Sequence, residues 1–287
     1  MTTVNRQPIR RVLLSAHRGG CGRRRSLENT LDGVRAAVSS GVDFVEFDVQ
    51  RSRDGVFLLH HDRHVDVGGR MVAVPDLTAA ELDAAVGPRT RYAEVLDVVA
   101  ASGCNAHVDL KLTSPPAAYD GDDQVWEVQA AALALAVMPA ERFIVTSTED
   151  RTVRAVRDWA DAVAPGLLVG LSIGKLDLTG LGWLRRLRWR LEELFPERRI
   201  HASRANLLVP QRHLARARLI GLASRRGLPV LVWTVDSRRE LERLCADPRV
   251  WMVTTNFPER ARIAPAASVL AARDLADAPA VAVVGRS

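Results

Sequence analysis

The chain of 287 residues is 47% hydrophobic, enough apolar mass for one large α/β barrel or two ordinary domains. Its 40 lysines and arginines outnumber its 34 aspartates and glutamates, a net charge of +6 that suits an anionic substrate or an acidic lipid surface, while an aromatic content of 5% argues against the stacking platforms of a nucleic-acid binder. Cys21, Cys104 and Cys245 are scattered and form no C-x-x-C pair, which argues against a disulfide scaffold or a structural zinc site and points to a reducing, cytoplasmic setting.

Residues 1–11 form a polar, basic extension without a signal-peptide core, and no uncharged apolar run reaches the roughly 18 residues of a spanning helix. Val12 to Ala16 reads as a strand ending in the loop His17-Arg18-Gly19-Gly20, which puts His17 at the strand's carboxyl end. Leu27-Glu28-Asn29-Thr30 opens a helix with Leu31, Val34, Ala37 and Val38 at helical spacing, closed by Gly41. The next strand, Asp43 to Val49, sets Glu46 and Asp48 on one face and Val45, Phe47 and Val49 on the other. Two carboxylates held close on a buried strand repel unless a cation lies between them. A donor set made only of oxygen favours Mg²⁺ or Ca²⁺ over zinc. Asp54-Gly55 is a hairpin-type turn, and Val56 to His60 runs extended into His61-Asp62. Adjacent on an extended chain, only one of His60 and His61 can face a barrel mouth.

The period then weakens until a helix at Tyr92 to Ala101, apart from a short helix start at Asp76 to Leu82. Asn105 to Leu112 is a strand with Asp109 and Lys111 on one face; Lys175 is the only other lysine in an arginine-rich chain. Helix from Asp123 to Val137, strand Phe143 to Ser147, helix Asp150 to Val163 and strand Leu167 to Ser172 follow. Strand Asn206 to Val209, helix Gln211 to Arg226, strand Val230 to Val235, helix Ser237 to Cys245 and strand Trp251 to Thr255 complete the series. About eight alternations of strand and helix favour a single-domain (β/α)8 TIM barrel over residues 12–263. Active-site groups of such a barrel lie at the carboxyl ends of its strands, where His17, Glu46, Asp48, Asp109, Lys111 and Trp233 fall. Within residues 175–203, Trp183, Leu184, Leu187, Leu191, Leu194 and Phe195 interleave with Arg185, Arg186, Arg188 and Arg190. That pattern is an amphipathic helix, either a barrel helix with a solvated arginine face or a peripheral contact for an anionic membrane. Residues 264–287 are read as a tail, a loosely attached helix or disordered.

His17-Arg18-Gly19, Glu28-Asn29-Thr30, Glu46-x-Asp48, Asp54-Gly55 with His61-Asp62, and Asp109-x-Lys111, in this order, resemble the glycerophosphodiester phosphodiesterase family. The resemblance runs from Val12 to Pro258 and implies a barrel that uses one divalent cation and cleaves a phosphodiester between two histidines. By position it implies His17 and His61 as the acid–base pair, and Glu46, Asp48 and Asp109 as ligands of Mg²⁺ or Ca²⁺. Arg18 and Lys111 would hold the phosphate, with Glu28 shaping the pocket and Trp233 lining it. The chain departs from the family pattern at Asp109, commonly glutamate, at Leu27, commonly proline, at Thr148, often phenylalanine, and at Asn256, often aspartate. Its loop from His17 to Glu28 is also long and carries Arg23-Arg24-Arg25. The implied reaction is hydrolysis of a glycerophosphodiester to glycerol 3-phosphate and an alcohol, or headgroup cleavage of a lysophospholipid. Transphosphatidylation to a cyclic phosphate, and a catalytically weak barrel that binds phosphate ligands or membranes, are the alternatives.

The chemistry asks for the same groups on its own terms. Negative charge grows on phosphoryl oxygens, one proton leaves the nucleophile and one reaches the departing alkoxide. A cation with basic side chains answers the first demand, and two imidazoles of ordinary pKa near 6.5 answer the others. His60, His64, His107, His201 and His213 read as core or surface residues.

Overall fold

Valine, isoleucine, leucine and phenylalanine crowd the predicted strands too densely for a one-sided sheet, as expected where both faces are covered. The computed structural model describes residues 11–119, 125–174 and 182–261. Residues 1–10 and the 264–287 tail lie outside the described residues, as does Lys175. The strands are β1 (Leu13–Ala16), β2 (Phe44–Arg51), β3 (Phe57–Leu59), β4 (His64–Val67), β5 (Arg70–Ala73), β6 (Asn105–Leu110), β7 (Phe143–Ser147), β8 (Leu168–Ile173), β9 (Leu207–Pro210), β10 (Leu231–Val232) and β11 (Met252–Thr255). Eight of them are parallel neighbours in the order β10-β11-β1-β2-β6-β7-β8-β9. Bridges Leu208–Val230 and Gln211–Trp233 join β9 to β10, so the sheet closes into a barrel.

The helices are α1 (Leu31–Ser39), α2 (Ala79–Val86), α3 (Tyr92–Ala101), α4 (Trp126–Val137), α5 (Asp150–Val163), α6 (Trp183–Leu194), α7 (Glu197–Ser203), α8 (Arg212–Leu214), α9 (Ile220–Arg225) and α10 (Arg238–Cys245). A π turn at Ala215–Leu219 joins α8 to α9, where the sequence predicts one continuous helix. At the front of α1, the Thr30 hydroxyl accepts the Gly33 N–H at 3.1 Å, the cap that the helical pattern requires.

Strand alternation sorts the core into two layers. Val45, Phe47 and Val49 of β2 face outward and join Val95, Leu96 and Val99 of α3 in the main core between sheet and helices. Phe44, Ile144, Leu207, Val209, Leu231 and Met252 face inward and fill the barrel floor. The interior is packed so closely that a Cβ on Gly170 would lie 2.5 Å from a Val209 methyl carbon. On β2 the inward side then changes from Phe44 to Glu46 and Asp48, which places two carboxylates above an apolar floor at the strand's carboxyl end.

One excursion had no clear sequence signal. After β3, which pairs antiparallel with the end of β2, the chain forms the β4–β5 hairpin and α2. Leu58, Val65, Val74, Leu77, Ala79 and Leu82 give this excursion a small core of its own. Its strands are four residues long and only Val65 of β4 is buried, so no alternation is legible.

Candidate active site

The site begins with an unusual turn. Just after β1, Arg18 has φ +50°, a left-handed conformation that costs a non-glycine residue about 1–3 kcal/mol. The turn swings the Arg18 N–H onto Glu46 Oε2 at 2.6 Å and brings the guanidinium over the carboxylates. Its Nη1 donates to Glu28 at 3.0 Å, and its Nε lies 3.1 Å from Asp48 Oδ2 without a well-aligned hydrogen bond. Gly19 passes α1 so closely that a Cβ there would be 2.9 Å from the Gly33 carbonyl carbon, which fixes the height of the whole loop.

Oxygen atoms of Glu46, Asp48 and Asp109 lie within 4.8 Å of one another. Glu46 and Asp48 are 2% and 1% exposed, so their charges have little water to relieve them. Burial, reinforced by Asp48 and Asp109, pushes the Glu46 pKa well above the ordinary carboxylate range. Burial also works against Asp48, but Lys111 and Arg18 prevail and hold its pKa well below that range. Asn29 grips Asp48 twice: its Nδ2 donates to Oδ2 at 2.8 Å, and its Oδ1 accepts the Asp48 N–H at 3.0 Å. Lys111 stands just past β6, pairing with Asp109 and lying 3.3 Å from Asp48 Oδ1. An ammonium has three N–H groups, so one remains for an anionic substrate. Four carboxylates, Glu28 included, share two basic side chains. This all-oxygen, electron-rich donor set fits a hard divalent cation, with Glu46, Asp48 and Asp109 as the residues that would hold it.

Asp109 is oriented from below by a chain that sequence reading assigned no role. The Thr146 hydroxyl donates to Asp109 Oδ1 at 2.7 Å. That leaves its oxygen to accept from His107 Nε2 at 3.0 Å, and His107 Nδ1 in turn accepts the Ser15 hydroxyl at 3.0 Å. Register carries the signal: Ser15, His107 and Thr146 are inward residues one layer below the mouth. Burial lowers the His107 pKa to about 4, so the imidazole is neutral in the fold. The unfolded chain, with an ordinary pKa near 6.5, binds more protons between those values. His107 therefore contributes stability that is fully present above pH 6.5 and lost as pH falls toward 4, a loss of about 3 kcal/mol. Urea midpoints between pH 7 and 4.5 should fall less steeply in His107→Gln than in the wild type. Equal slopes would assign the acid sensitivity elsewhere.

The two histidines meet different partners. Asn256 Nδ2 donates to Asp236 Oδ2 at 2.8 Å, which turns its Oδ1 toward His17 Nδ1 at 2.8 Å. An amide oxygen only accepts, so His17 carries its hydrogen on Nδ1 and presents a bare Nε2, 4.0 Å from Glu46 Oε2. Burial, with Arg18 beside it, lowers the His17 pKa and favours the neutral ring. His61 instead donates Nδ1–H to the Asp62 carboxylate at 2.7 Å. Gln50 holds this turn by donating to the Asp62 carbonyl at 3.1 Å. The Nε2 of His60 is buried and without a hydrogen-bond partner.

Seven of the nine site residues predicted from sequence, His17, Arg18, Glu28, Glu46, Asp48, Asp109 and Lys111, form one connected cluster, and His61 stands at its edge. Trp233 is more distant, at the end of β10, three strands from β2 in the sheet order. Its indole N–H is committed to the Val209 carbonyl at 2.7 Å, so only its ring surface is left for a ligand. Asn29, Thr146, His107, Ser15 and Asp236 are the positioning residues that sequence reading missed. Among the described residues, no helix is long and apolar enough to cross a membrane.

The chain is similar to several known proteins, over different shares of its length. A "Glycerophosphodiester phosphodiesterase" of Caldanaerobacter subterraneus subsp. tengcongensis is 25% identical over 250 residues, 82% of this chain and 90% of that protein. "Lysophospholipase D GDPD3" of Mus musculus is 43% identical over 60 residues, 21% of this chain and only 18% of the mouse protein. A crystal structure of a putative glycerophosphoryl diester phosphodiesterase from Silicibacter pomeroyi superposes with a TM-score of 0.64 at 23% identity, covering 88% of this chain and 92% of that one. An Oleispira antarctica phosphodiesterase in complex with the product sn-glycerol-3-phosphate superposes at 0.63 with 17% identity, covering 87% of this chain and 95% of that one. These two structures share the barrel. The sequence profile of the Glycerophosphoryl diester phosphodiesterase family matches residues 17–260, and the chain belongs to that family.

Proposed function

We propose that the protein hydrolyses a glycerol-based phosphodiester to glycerol 3-phosphate and an alcohol, with Mg²⁺ or Ca²⁺ held by Glu46, Asp48 and Asp109. The observation that carries this reading is the meeting of three carboxylates, within 4.8 Å, beside a histidine whose Nε2 is bare. Bound there, a divalent cation supplies charge stabilisation to the phosphoryl oxygens. Arg18 and Lys111 add fixed positive charge to the same oxygens and orient the diester. His17 is the base in this reading, because a neutral imidazole faces the site. His61, oriented by its hydrogen bond to Asp62, donates a proton to the leaving alkoxide. Glu28 sets the Arg18 guanidinium, and Trp233 offers an apolar wall to the glycerol or the alcohol.

A deacylated glycerophosphodiester is the leading substrate. The match to Lysophospholipase D GDPD3 supports a lysophospholipid as the second. The three cysteines are free, in keeping with a cytoplasmic reaction. Phosphorus NMR of reactions with glycerophosphocholine and lysophosphatidylcholine separates these outcomes. Hydrolysis is expected to give a phosphomonoester signal, glycerol 3-phosphate from the first substrate. A cyclic phosphate as the end product would replace hydrolysis with transphosphatidylation, and silence on both substrates would leave a binding barrel.

A further inference from the structure

Helix α6 faces the opposite way from an ordinary barrel helix. Trp183, Leu184, Leu187, Leu191 and the adjoining Phe195 recur on one helical face, yet they are 72%, 63%, 48%, 49% and 50% exposed. Another side is turned to the barrel: Glu193, roughly 200° around the helix from Leu191, accepts the Gly174 N–H at 3.1 Å just beyond the carboxyl end of β8. A helix that leaves Leu184, Leu187 and Leu191 exposed while Glu193 is half-buried has not used this apolar stripe for the core. Of the two readings of this segment, the exposed stripe favours a peripheral contact over a barrel helix with a solvated arginine face.

Charge identifies the occupant. Arginines stand at 185, 186, 188 and 190 within the same helix against the acidic Glu192 and Glu193, and Arg198 is exposed just beyond it. A second copy of the chain would bring eight helix arginines together with only four helix glutamates, Glu192 and Glu193 of each copy, to offset them. Residues 262–287 carry three arginines and two aspartates, so they offer no negative complement. A surface that is apolar beneath and anionic above matches both features. The helix also leaves from β8 at the carboxyl-end face, the face on which the carboxylates and histidines open.

We propose that α6 docks the protein on an anionic lipid surface, its tryptophan–leucine stripe entering the headgroup boundary and its arginines meeting lipid phosphates. This goes beyond the proposed reaction, which needs no membrane. Each arginine near such a surface multiplies partitioning by roughly fivefold, and salt screens the gain over a Debye length of about 10 Å at 0.1 M.

The test is sedimentation of the full chain with vesicles of phosphatidylglycerol and phosphatidylcholine, set against vesicles of phosphatidylcholine alone. Binding is expected only to the anionic vesicles and should weaken as salt rises. Leu184→Ser with Leu187→Ser should lower it by roughly tenfold or more, because both side chains leave water on docking. Both are exposed in the fold, so cleavage of a soluble diester without vesicles should be unchanged, which also checks folding. Absence of anionic-vesicle binding at low salt would overturn the proposal, as would wild-type binding by the double variant. A dimer in light scattering that the double variant abolishes, without vesicle binding, would assign the stripe to a second copy instead. Activity on the soluble diester is read separately, so failure of docking leaves the proposed reaction standing, and failure of the reaction leaves docking intact.

Discussion

His17→Ala and His61→Ala are each expected to lower kcat on a glycerophosphodiester by roughly 10²–10⁴-fold, the usual contribution of one acid–base group. The folds should persist, since both rings sit at the mouth, with side chains 17% and 22% exposed. The losses should differ in kind. A substrate with a better leaving group needs less help from an acid, so it should recover activity in His61→Ala but not in His17→Ala. Asn256→Leu removes the amide that turns His17 and should cost up to roughly 10²-fold in kcat, the scale of a misplaced reacting group, with little change in KM. Near-normal turnover in either alanine variant would remove that histidine from the mechanism, and equal recovery in both would undo the assignment of base and acid.

The second large effect concerns Glu46. Burial and two carboxylate neighbours favour its protonated form, so a cation must displace that proton to gain the ligand. The sign follows: metal affinity should rise with pH, and binding should release protons. Calorimetry with Mg²⁺ or Ca²⁺ in buffers of different ionisation enthalpy measures that release directly. Glu46→Gln keeps the shape of the side chain but supplies no charge, and should weaken binding by at least roughly 10²-fold and suppress the proton release. Unchanged affinity in Glu46→Gln would place the ion elsewhere.

The barrel was legible in the sequence because each parallel strand is buried on both faces and so reads as a short apolar run between helical periods. The carboxylate pair was legible for the opposite reason, since charge at alternate positions breaks such a run. What was hidden lies in contacts between elements. Nothing in the local pattern of Thr146 or His107 says that β6 and β7 lie side by side, Asp109 opposite Thr146. Asn256 read as a departure from the family's usual aspartate, but its partner Asp236, 20 residues away, restores a carboxylate one step behind the amide. The outward turn of α6 was equally hidden, because an amphipathic pattern gives the angle between two faces and not which of them meets the barrel. The β4–β5 hairpin was too short and too exposed to leave a period.

The central claim is that Glu46, Asp48 and Asp109 hold one divalent cation on which turnover depends. Protein stripped with excess chelator and assayed on glycerophosphocholine by phosphorus NMR tests it most directly. Turnover should be absent in the chelator and return, as glycerol 3-phosphate, when Mg²⁺ or Ca²⁺ is added in excess. Full turnover in the presence of excess chelator would contradict the claim.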